Sequence, residues 1–296
     1  MKIVSGSSNK PLAEGIAEEL KTKLTEVEIF VFPDKERRIR ILEKVLDQDC
    51  VAVQSTDTPA DQNYMELFFL VDGLKRSGAR QVTAVIPYLG YQRQDHIFRE
   101  GEAVSLRVVV ETLEAVGVDK IIAIDLHSVK IPEFFQVPIV HLSALSIFAE
   151  KIKELASSNF VLVSPDMGGI AIIKKLSEML NNVPFATIEK DRDLATGSVS
   201  SRKMEGEVKG KTAIIVDDMI STGKTIAEAA KLLKEKGVEE IYVFATHAVF
   251  SDEAKDILEN SMAKKVFVTD SVFIPKNKYF PKLEVLTVSG LVAKNL

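Results

Sequence analysis

The chain has 296 residues, enough for two compact domains or one large one. Lys and Arg total 38 against 43 Asp and Glu, and the net charge of −5 argues against a surface built broadly for nucleic acid or anionic lipid. A single cysteine excludes an intramolecular disulfide, no apolar run approaches the ~20 residues needed to cross a bilayer, and the sequence opens without a secretion signal. We therefore expect a cytoplasmic protein with neither a nucleic-acid nor a membrane partner.

Short β-branched runs alternate with longer segments in which apolar residues recur every three to four positions. The predicted strands are Lys2–Ser5, Val27–Phe32, Val51–Gln54, Gln81–Ile86, Lys120–Asp125, Phe160–Ser164, Phe185–Glu189, Ala213–Asp217, Glu240–Ala245, Lys265–Thr269 and Leu283–Val288. The predicted helices are Leu12–Leu24, Asn63–Ser77, Ser105–Ala115, Ala144–Ser157, Gly169–Leu180, Thr225–Lys236 and Asp252–Ser261. This alternation is typical of α/β proteins built on parallel sheets.

A weak internal repeat bears on the domain organisation. The segments Leu74–Val85 and Leu233–Phe244 share a helix end, a glycine and a buried strand. Duplication of a domain and the ordinary likeness of all helix-to-strand junctions explain this equally well. The segment Phe135–Leu142 has the character of a connector, so we place the boundary there, between domains 1–142 and 143–296. The end of the chain, Val288–Leu296, is a candidate to pack back on the first domain.

The most informative segment joins an apolar strand, two carboxylates, a short polar loop and a helix. Asp217 and Asp218 end the strand, and the loop continues as Ser221, Thr222, Gly223, Lys224 and Thr225. Backbone N–H groups and hydroxyls at a helix start can seat a phosphate, while carboxylates accept hydrogen bonds from sugar hydroxyls. A nucleotide-binding P-loop needs a glycine where Asp218 stands, so a pentose phosphate is the better ligand. An ordinary helix cap by Ser221 or Thr222 is the plainer reading, but it leaves the carboxylates unexplained.

Three further segments place polar residues where predicted strands end. Arg93, in the segment Pro87–His96, supplies a positive charge for triphosphate oxygens. Asp125 and His127 are two residues apart on a predicted strand end, which puts both side chains on one face. Asp166 precedes Gly168 and Gly169 in a turn whose amides can approach a pyrophosphate. The plainer readings are a solvated loop, a core histidine and simple turn residues, respectively.

Glu189 opens a polar stretch that continues through Gly197, Ser200 and Ser201 without apolar periodicity. This composition predicts a mobile loop. By itself, a solvated charge run is the usual outcome for a sequence of this kind.

Together with Phe30–Glu36, these segments resemble the ribose-phosphate pyrophosphokinase family, the phosphoribosyl pyrophosphate synthases. The resemblance covers nearly the whole chain and implies two similar phosphoribosyltransferase-type domains, each a mostly parallel sheet flanked by helices. It implies an enzyme that transfers the pyrophosphoryl group of Mg-ATP to the anomeric hydroxyl of ribose 5-phosphate. The first domain would then bind ATP and the second ribose 5-phosphate.

The resemblance also implies roles for individual residues. The family's ATP-binding positions match Phe32, Asp34, Lys35, Glu36, Arg93, Gln94, Asp95 and His96. Its ribose 5-phosphate positions match Asp217, Asp218 and the loop from Ser221 to Thr225, and its pyrophosphate loop matches Asp166, Gly168 and Gly169. His127 and Asp166 match its magnesium positions, and Lys190 and Arg192 its catalytic loop cations.

In the family, the loop that matches Phe32–Glu36 reaches into the ATP site of a neighbouring subunit, so the resemblance implies a homo-oligomer. Three residues depart from the family's pattern: Lys35 and Lys224 stand where many members have glycine, and Ser221 replaces a common acid. Two other functions stay open: a phosphoribosyltransferase and a non-catalytic regulatory relative. The segments Phe32–Glu36 and Tyr91–His96 argue against the first because a phosphoribosyltransferase does not require ATP.

Overall fold

A computed structural model of the chain describes residues 1–155, 159–192, 199–251 and 253–296, with the backbone alone for 190–192 and 199–202. The chain divides into two compact units. Unit 1 comprises Met1–Ser143, Ser271–Phe273 and Thr287–Leu296, and unit 2 comprises Ala144–Asp270 and Ile274–Leu286.

The predicted strands and helices occur in the predicted order, together with further strands and one further helix. The strands are β1 Lys2–Ser5, β2 Val27–Val31, β3 Arg37–Ile41, β4 Asp49–Val53, β5 Gln81–Ile86, β6 Lys120–Ile124, β7 Ile139–Leu142, β8 Phe160–Ser164, β9 Phe185–Arg192, β10 Val199–Glu205, β11 Thr212–Ile220, β12 Glu240–Ala248, β13 Lys265–Thr269 and β14 Leu283–Leu286. The helices are α1 Lys10–Glu19, α2 Ala60–Arg76, α3 Ser105–Ala115, α4 Leu145–Leu155, α5 Ile170–Met179, α6 Lys224–Glu235, α7 Ala254–Glu259 and α8 Ser289–Ala293.

Unit 1 is built on a five-stranded parallel sheet in the order β1-β4-β5-β6-β7. Its central strands are almost entirely buried, which explains why they are continuous β-branched runs and not alternating ones. Helices α2 and α3 contribute apolar side chains such as Leu70 and Val110 to the core of this unit. The C-terminal helix α8 packs against α1, where a Cβ added to Gly15 would lie 3.2 Å from the Cβ of Ser289.

A separate two-stranded antiparallel sheet, β2 and β3, forms a hairpin in unit 1. At its tip, the Phe32 N–H donates to the Glu36 carbonyl at 2.8 Å and the Lys35 N–H donates to the Phe32 carbonyl at 2.9 Å. Lys35 has a φ of 76°, the left-handed conformation that closes three-residue hairpin loops and favours glycine. The position therefore has a conformational reason to carry glycine.

Unit 2 is built on a seven-stranded sheet in the order β10-β9-β8-β11-β12-β13-β14. Only the β9–β10 pair among these described strands is antiparallel. Strands β8 and β11 are neighbours in register, with Val163 opposite Ile215. Their carboxyl ends therefore meet at one edge of the sheet.

The structure corrects several expected elements. Strands β3, β7 and β10 and helix α8 were not predicted; β7 falls inside the segment expected to be a connector. The polar stretch from Glu189, expected to be a loop, is strand up to Arg192 and again from Val199, while residues 193–198 lie outside the described part. Antiparallel pairing satisfies the backbone of such segments without an apolar pattern, so their composition conceals them. The prediction of an α/β fold with mostly parallel sheets flanked by helices is confirmed.

Candidate active site

Three carboxylates meet at the edge of unit 2 where β8 and β11 end. Asp217 and Asp218 lie in β11, and Asp166 follows β8 by two residues. The Asp218 N–H donates to the Asp217 carboxylate at 3.0 Å. Burial and then the charges of Asp218 and Asp166 raise the pKa of Asp217 well above its ordinary value. The sequence placed each of these acids at the end of a predicted strand, and the parallel pairing of β8 with β11 brings them to one edge of the sheet. Carboxylates in such a cluster attract cations and hydroxyl donors.

The turn from β8 into α5 is held by its own side chains. The Asp166 carboxylate accepts from the Gly168 N–H at 3.0 Å, and the Ser164 hydroxyl donates to the Asp166 carbonyl at 2.6 Å. A Cβ at Gly169 would lie only 2.4 Å from the Ser164 hydroxyl oxygen, which would have to move, so close approach and not a positive φ favours glycine here. The turn presents Asp166 beside a tight, glycine-lined backbone.

The loop from β11 into α6 begins the helix with a left-handed glycine. Gly223 is buried with a φ of 76°, and a Cβ there would lie 3.1 Å from Leu258. The Lys224 N–H donates to the Thr222 hydroxyl at 3.3 Å, and Ser221 accepts from the Ser251 N–H through its carbonyl at 2.9 Å. Thr225 lies in the first turn of α6, so residues 221–225 place hydroxyls and backbone amides at the positive end of a helix.

Lys224 departs from the family's pattern but is accommodated. Its ammonium group lies 3.2 Å from the Glu253 carboxylate, and both side chains are exposed. Lys224 is helical, as the first residue of α6, and the left-handed residue of the loop is Gly223. A side chain at position 224 therefore causes no backbone strain.

In unit 1, the segment after β5 meets the segment after β6. The buried Gln92 accepts from the His127 N–H at 2.9 Å through its side-chain oxygen. The expectation that Asp125 and His127 share one face of a strand is wrong in its reasoning, because β6 ends at Ile124 and Asp125 has a φ of 37°. The backbone turns at Asp125, and Gln92 holds the backbone of His127 two residues later. Sequence reasoning missed Gln92, because no local signal marks a residue whose partner lies 35 positions away.

The other residues predicted to bind ATP in unit 1 lie on exposed loops. Arg93, Gln94 and His96 are exposed, and His96 Nδ1 lies 2.6 Å from the Asp95 carboxylate. The imidazole of His96 is 3.9 Å from the Phe98 ring, between centroids. The loop after β5 therefore offers a guanidinium, amide groups and an aromatic pair to solvent.

At the hairpin tip, Phe32 is half-buried, while Asp34, Lys35 and Glu36 are exposed. The Asp34 carboxylate accepts from the Glu36 N–H at 3.1 Å. The Phe32 ring meets the Phe30 ring edge-on with centroids 4.9 Å apart. The tip therefore has a defined conformation and carries an aromatic ring beside two acids.

Lys190 and Arg192 lie in β9, with their backbones paired to β10 at Arg202 and Val199. Their side chains are outside the described part of the chain. No group of three or more His, Cys, Asp and Glu side chains in the described ranges is arranged to enclose a metal ion. Likewise, no helix in those ranges is long and apolar enough to cross a membrane.

Comparison with known proteins covers both units. Residues 1–117 match the family model of the N-terminal domain of ribose phosphate pyrophosphokinase, and residues 133–281 match that of the phosphoribosyl transferase domain. A ribose-phosphate pyrophosphokinase from Gloeobacter violaceus is 38% identical over 294 residues, covering 99% of this chain and 88% of the relative. One from Fusobacterium nucleatum is 40% identical over 295 residues, covering 99% and 93%. The crystal structure of phosphoribosylpyrophosphate synthetase from Mycobacterium smegmatis has a TM-score of 0.94 at 37% identity, covering 99% of this chain and 96% of that one.

Proposed function

Because the chain belongs to the ribose-phosphate pyrophosphokinase family, we propose that it transfers the β,γ-pyrophosphoryl group of ATP to the anomeric hydroxyl of ribose 5-phosphate. The products are AMP and 5-phosphoribosyl 1-pyrophosphate, a precursor in nucleotide biosynthesis. The structural observation that best supports this proposal is at the edge of unit 2. There, Asp217 and Asp218 lie just before the loop Ser221–Thr225 that begins α6.

Ribose 5-phosphate suits the chemistry of that edge. Its 5-phosphate would accept hydrogen bonds from the hydroxyls and amides of residues 221–225, aided by the helix dipole of α6. Its ring hydroxyls would donate to Asp217 and Asp218. Desolvation and the neighbouring acids make the ionised form of Asp217 costly and raise its pKa. Hydrogen bonds donated by the sugar would lower that cost. The absence of an acid at Ser221 also removes one source of repulsion toward the phosphate.

ATP would be bound by groups of unit 1. Arg93 offers a guanidinium to the triphosphate, and Gln94, Asp95 and His96 offer hydrogen-bonding groups beside it. From the hairpin tip, Phe32 would pack against adenine, and Asp34, Lys35 and Glu36 would contact the rest of the nucleoside. We assign the hairpin to the nucleotide of a neighbouring subunit, so the working enzyme is a homo-oligomer. It would act in the cytoplasm without a nucleic-acid partner.

Mg²⁺ fits the donor set of this chain. Asp166 stands beside two further carboxylates, and magnesium favours such oxygen ligands while keeping several waters and substrate phosphates in its shell. A closed cage of three protein ligands is therefore not required. Asp166 would hold a metal on the sugar side, and His127 would help to hold one on the ATP side, where Asp125 would orient the ion's shell because nitrogen is not a preferred magnesium ligand. When bound there, the ion would supply positive charge to neutralise the triphosphate oxygens.

Catalysis would then depend on positioning and electrostatics. The glycines of the turn, Gly168 and Gly169, let backbone amides approach the pyrophosphate. Lys190 and Arg192 would neutralise negative charge that develops on the transferring group. A strong protein base is not needed.

Phosphorus NMR of the purified protein with ATP, ribose 5-phosphate and MgCl₂ tests the proposal. We expect AMP and a diphosphate attached to the anomeric carbon, formed without any added nucleobase. A requirement for a nucleobase would identify a phosphoribosyltransferase instead. Complete inactivity of the homo-oligomer with magnesium would favour a non-catalytic relative.

A further inference from the structure

The inner face of the β2–β3 hairpin contains one charged residue near its tip. Along β3, burial alternates: Arg37, Ile39 and Ile41 are half-buried, and Arg38 and Arg40 are exposed. Ile39 and Ile41 pack against the core of unit 1. Arg37 continues this inner row toward the tip, where an apolar side chain would continue the pattern. An arginine in this place needs a partner.

The partner is Glu66 of α2, whose side chain is fully buried. The Arg37 guanidinium donates to one carboxylate oxygen of Glu66, which also accepts from the Ser7 hydroxyl at 2.9 Å. The other oxygen accepts from the Ser7 N–H at 2.5 Å and from the Gln54 side-chain amide at 3.0 Å. Glu66 is thus fully hydrogen-bonded, as a buried carboxylate must be.

Among these donors, Arg37 alone is charged; Ser7 and Gln54 are neutral. Removing the counter-charge of a buried carboxylate is strongly destabilising. The pair with Glu66 therefore holds Arg37 more strongly than a surface ion pair would. The second guanidinium nitrogen of Arg37 donates to Gln62 of α2 at 3.1 Å. Two points of contact with one rigid helix fix the direction in which β3 leaves the core.

The opposite end of the hairpin is held differently. There, Glu43 accepts from the Glu26 N–H at 2.9 Å and from the Lys2 ammonium at 2.6 Å, and Ile41 packs at Gly73 of α2. These contacts secure the base. The tip, residues 32–36, extends beyond them, and Arg37 is the residue that leads into it.

We propose that Arg37, through its pair with Glu66, is a positioning residue for the nucleotide site: it sets the orientation of the tip that presents Phe32, Asp34 and Glu36 to ATP. This inference rests on the proposed function for the role of the tip. It assigns no contact between Arg37 and the substrate. Loss of the pair should therefore change how well ATP is bound and leave ribose 5-phosphate binding alone.

The test compares Arg37→Met with the control Arg40→Met in the full-length oligomer. Both changes remove one arginine from β3, but Arg40 is on the exposed face. In Arg37→Met we expect the KM for ATP to rise about 10-fold, equivalent to about 1.4 kcal/mol, with the KM for ribose 5-phosphate within about two-fold of wild type. Arg37→Lys keeps the charge but loses the planar, two-pronged guanidinium, so its KM for ATP should lie between those of Arg37→Met and Arg40→Met.

Hydrogen exchange gives a second readout that does not depend on activity. The amides of Phe32 and Lys35, bonded within the tip, should exchange about 10-fold faster in Arg37→Met and at the wild-type rate in Arg40→Met. If Arg37→Met folds poorly, Arg37→Lys and Glu66→Gln carry the same comparison. An unchanged KM for ATP, or unchanged exchange at the tip, overturns the inference. Failure of the wild type to make phosphoribosyl pyrophosphate overturns the proposed function instead, and exchange still decides whether Arg37 holds the tip.

Discussion

Asp217 lies where its ionised carboxylate destabilises the folded protein. It is half-buried next to the carboxylates of Asp218 and Asp166, and both desolvation and repulsion favour its protonated form. The folded protein therefore keeps a proton on Asp217 to a higher pH than the unfolded chain does. As pH rises from the ordinary aspartate pKa through this raised one, Asp217 removes stability from the fold. A ligand that donates hydrogen bonds to it, or a cation, relieves that cost.

Replacing Asp217 by Asn should stabilise the unliganded protein and abolish most of its activity. At pH 7.5 we expect a gain of about 1 kcal/mol in the free energy of unfolding, because the amide carries no charge beside the carboxylates of Asp218 and Asp166. The gain should shrink as pH falls, since the wild-type carboxyl is then protonated too. Urea unfolding across pH measures the effect, and Asp256→Asn, an exposed site in α7, is the control. A destabilised Asp217→Asn would contradict the electrostatic argument.

Lys190→Ala should lower turnover by at least ~100-fold while leaving the affinity for ATP nearly intact, because the lost interaction strengthens only in the transition state. Steady-state kinetics and a direct nucleotide-binding measurement separate the two effects. Lys203→Ala is the matched control, since Lys203 is on the paired strand β10, opposite Glu189 and not Lys190. Unchanged turnover in Lys190→Ala would remove this residue from the mechanism.

At the scale of elements, the candidate site is made where strands turn into helices. The turn after β8 depends on close approach at Gly169, and the loop after β11 depends on the left-handed backbone of Gly223. These are different constraints: a side chain at Gly169 would collide with the Ser164 hydroxyl, whereas one at Gly223 would be crowded by Leu258 and also strained in backbone conformation. The β2–β3 hairpin is a third element of the site. Glu43 holds its base, and Arg37, bonded to Glu66, is the residue from which β3 begins after the tip.

Gly169→Ala should cost about 1–3 kcal/mol of stability and most of the activity, because its Cβ would lie 2.4 Å from the Ser164 hydroxyl oxygen. Since the clash is with a side-chain oxygen, the double variant Ser164→Ala/Gly169→Ala should recover part of the lost stability. Thermal unfolding of both single variants and the double variant gives the coupling between the sites. Strict additivity would contradict the steric explanation. Gly290→Ala is the control for a glycine loss, because Gly290 has no left-handed φ and an added Cβ would lie no closer than 3.6 Å to the Glu19 side chain.

At the scale of the whole molecule, each unit contributes a different chemistry. Unit 2 has the acidic edge and the helix-initiating loop, and unit 1 has the loop after β5 and the hairpin. In the proposed homo-oligomer, the hairpin tip of one subunit contacts the ATP bound to another subunit. In that arrangement, a Phe32 variant and a Lys190 variant would damage a shared site from different subunits.

Co-refolding of Phe32→Ala with Lys190→Ala should therefore restore activity. In a random equimolar mixture, about a quarter of the sites combine an intact tip with an intact Lys190, so turnover should approach about a quarter of wild type. Each variant refolded alone is the control. Activity no greater than the sum of the two separate variants would show that the tip serves its own subunit.

The site was more predictable from the sequence in some elements than in others. Apolar runs followed by Asp or Gly marked β8, β11 and their turns, because strand ends in parallel sheets carry local signals. β3 and β10 gave no comparable signal, since antiparallel pairing with a neighbour satisfies their backbone groups whatever side chains they carry. The left-handed backbone at Lys35 was only partly predictable. A three-residue hairpin loop requires it at this position, but a lysine gives no sign of it because glycine is the residue that such a conformation favours.

By itself, the sequence determined the α/β class, the parallel strands and the acids and glycines at their ends, since these depend on short-range periodicity and backbone conformation. Only the tertiary structure decided which distant groups meet. Gln92 binds the backbone of His127, and Glu66 binds Arg37, 35 and 29 positions away respectively. Burial makes each of these bonds obligatory, and burial depends on how the whole unit packs, which no local pattern contains.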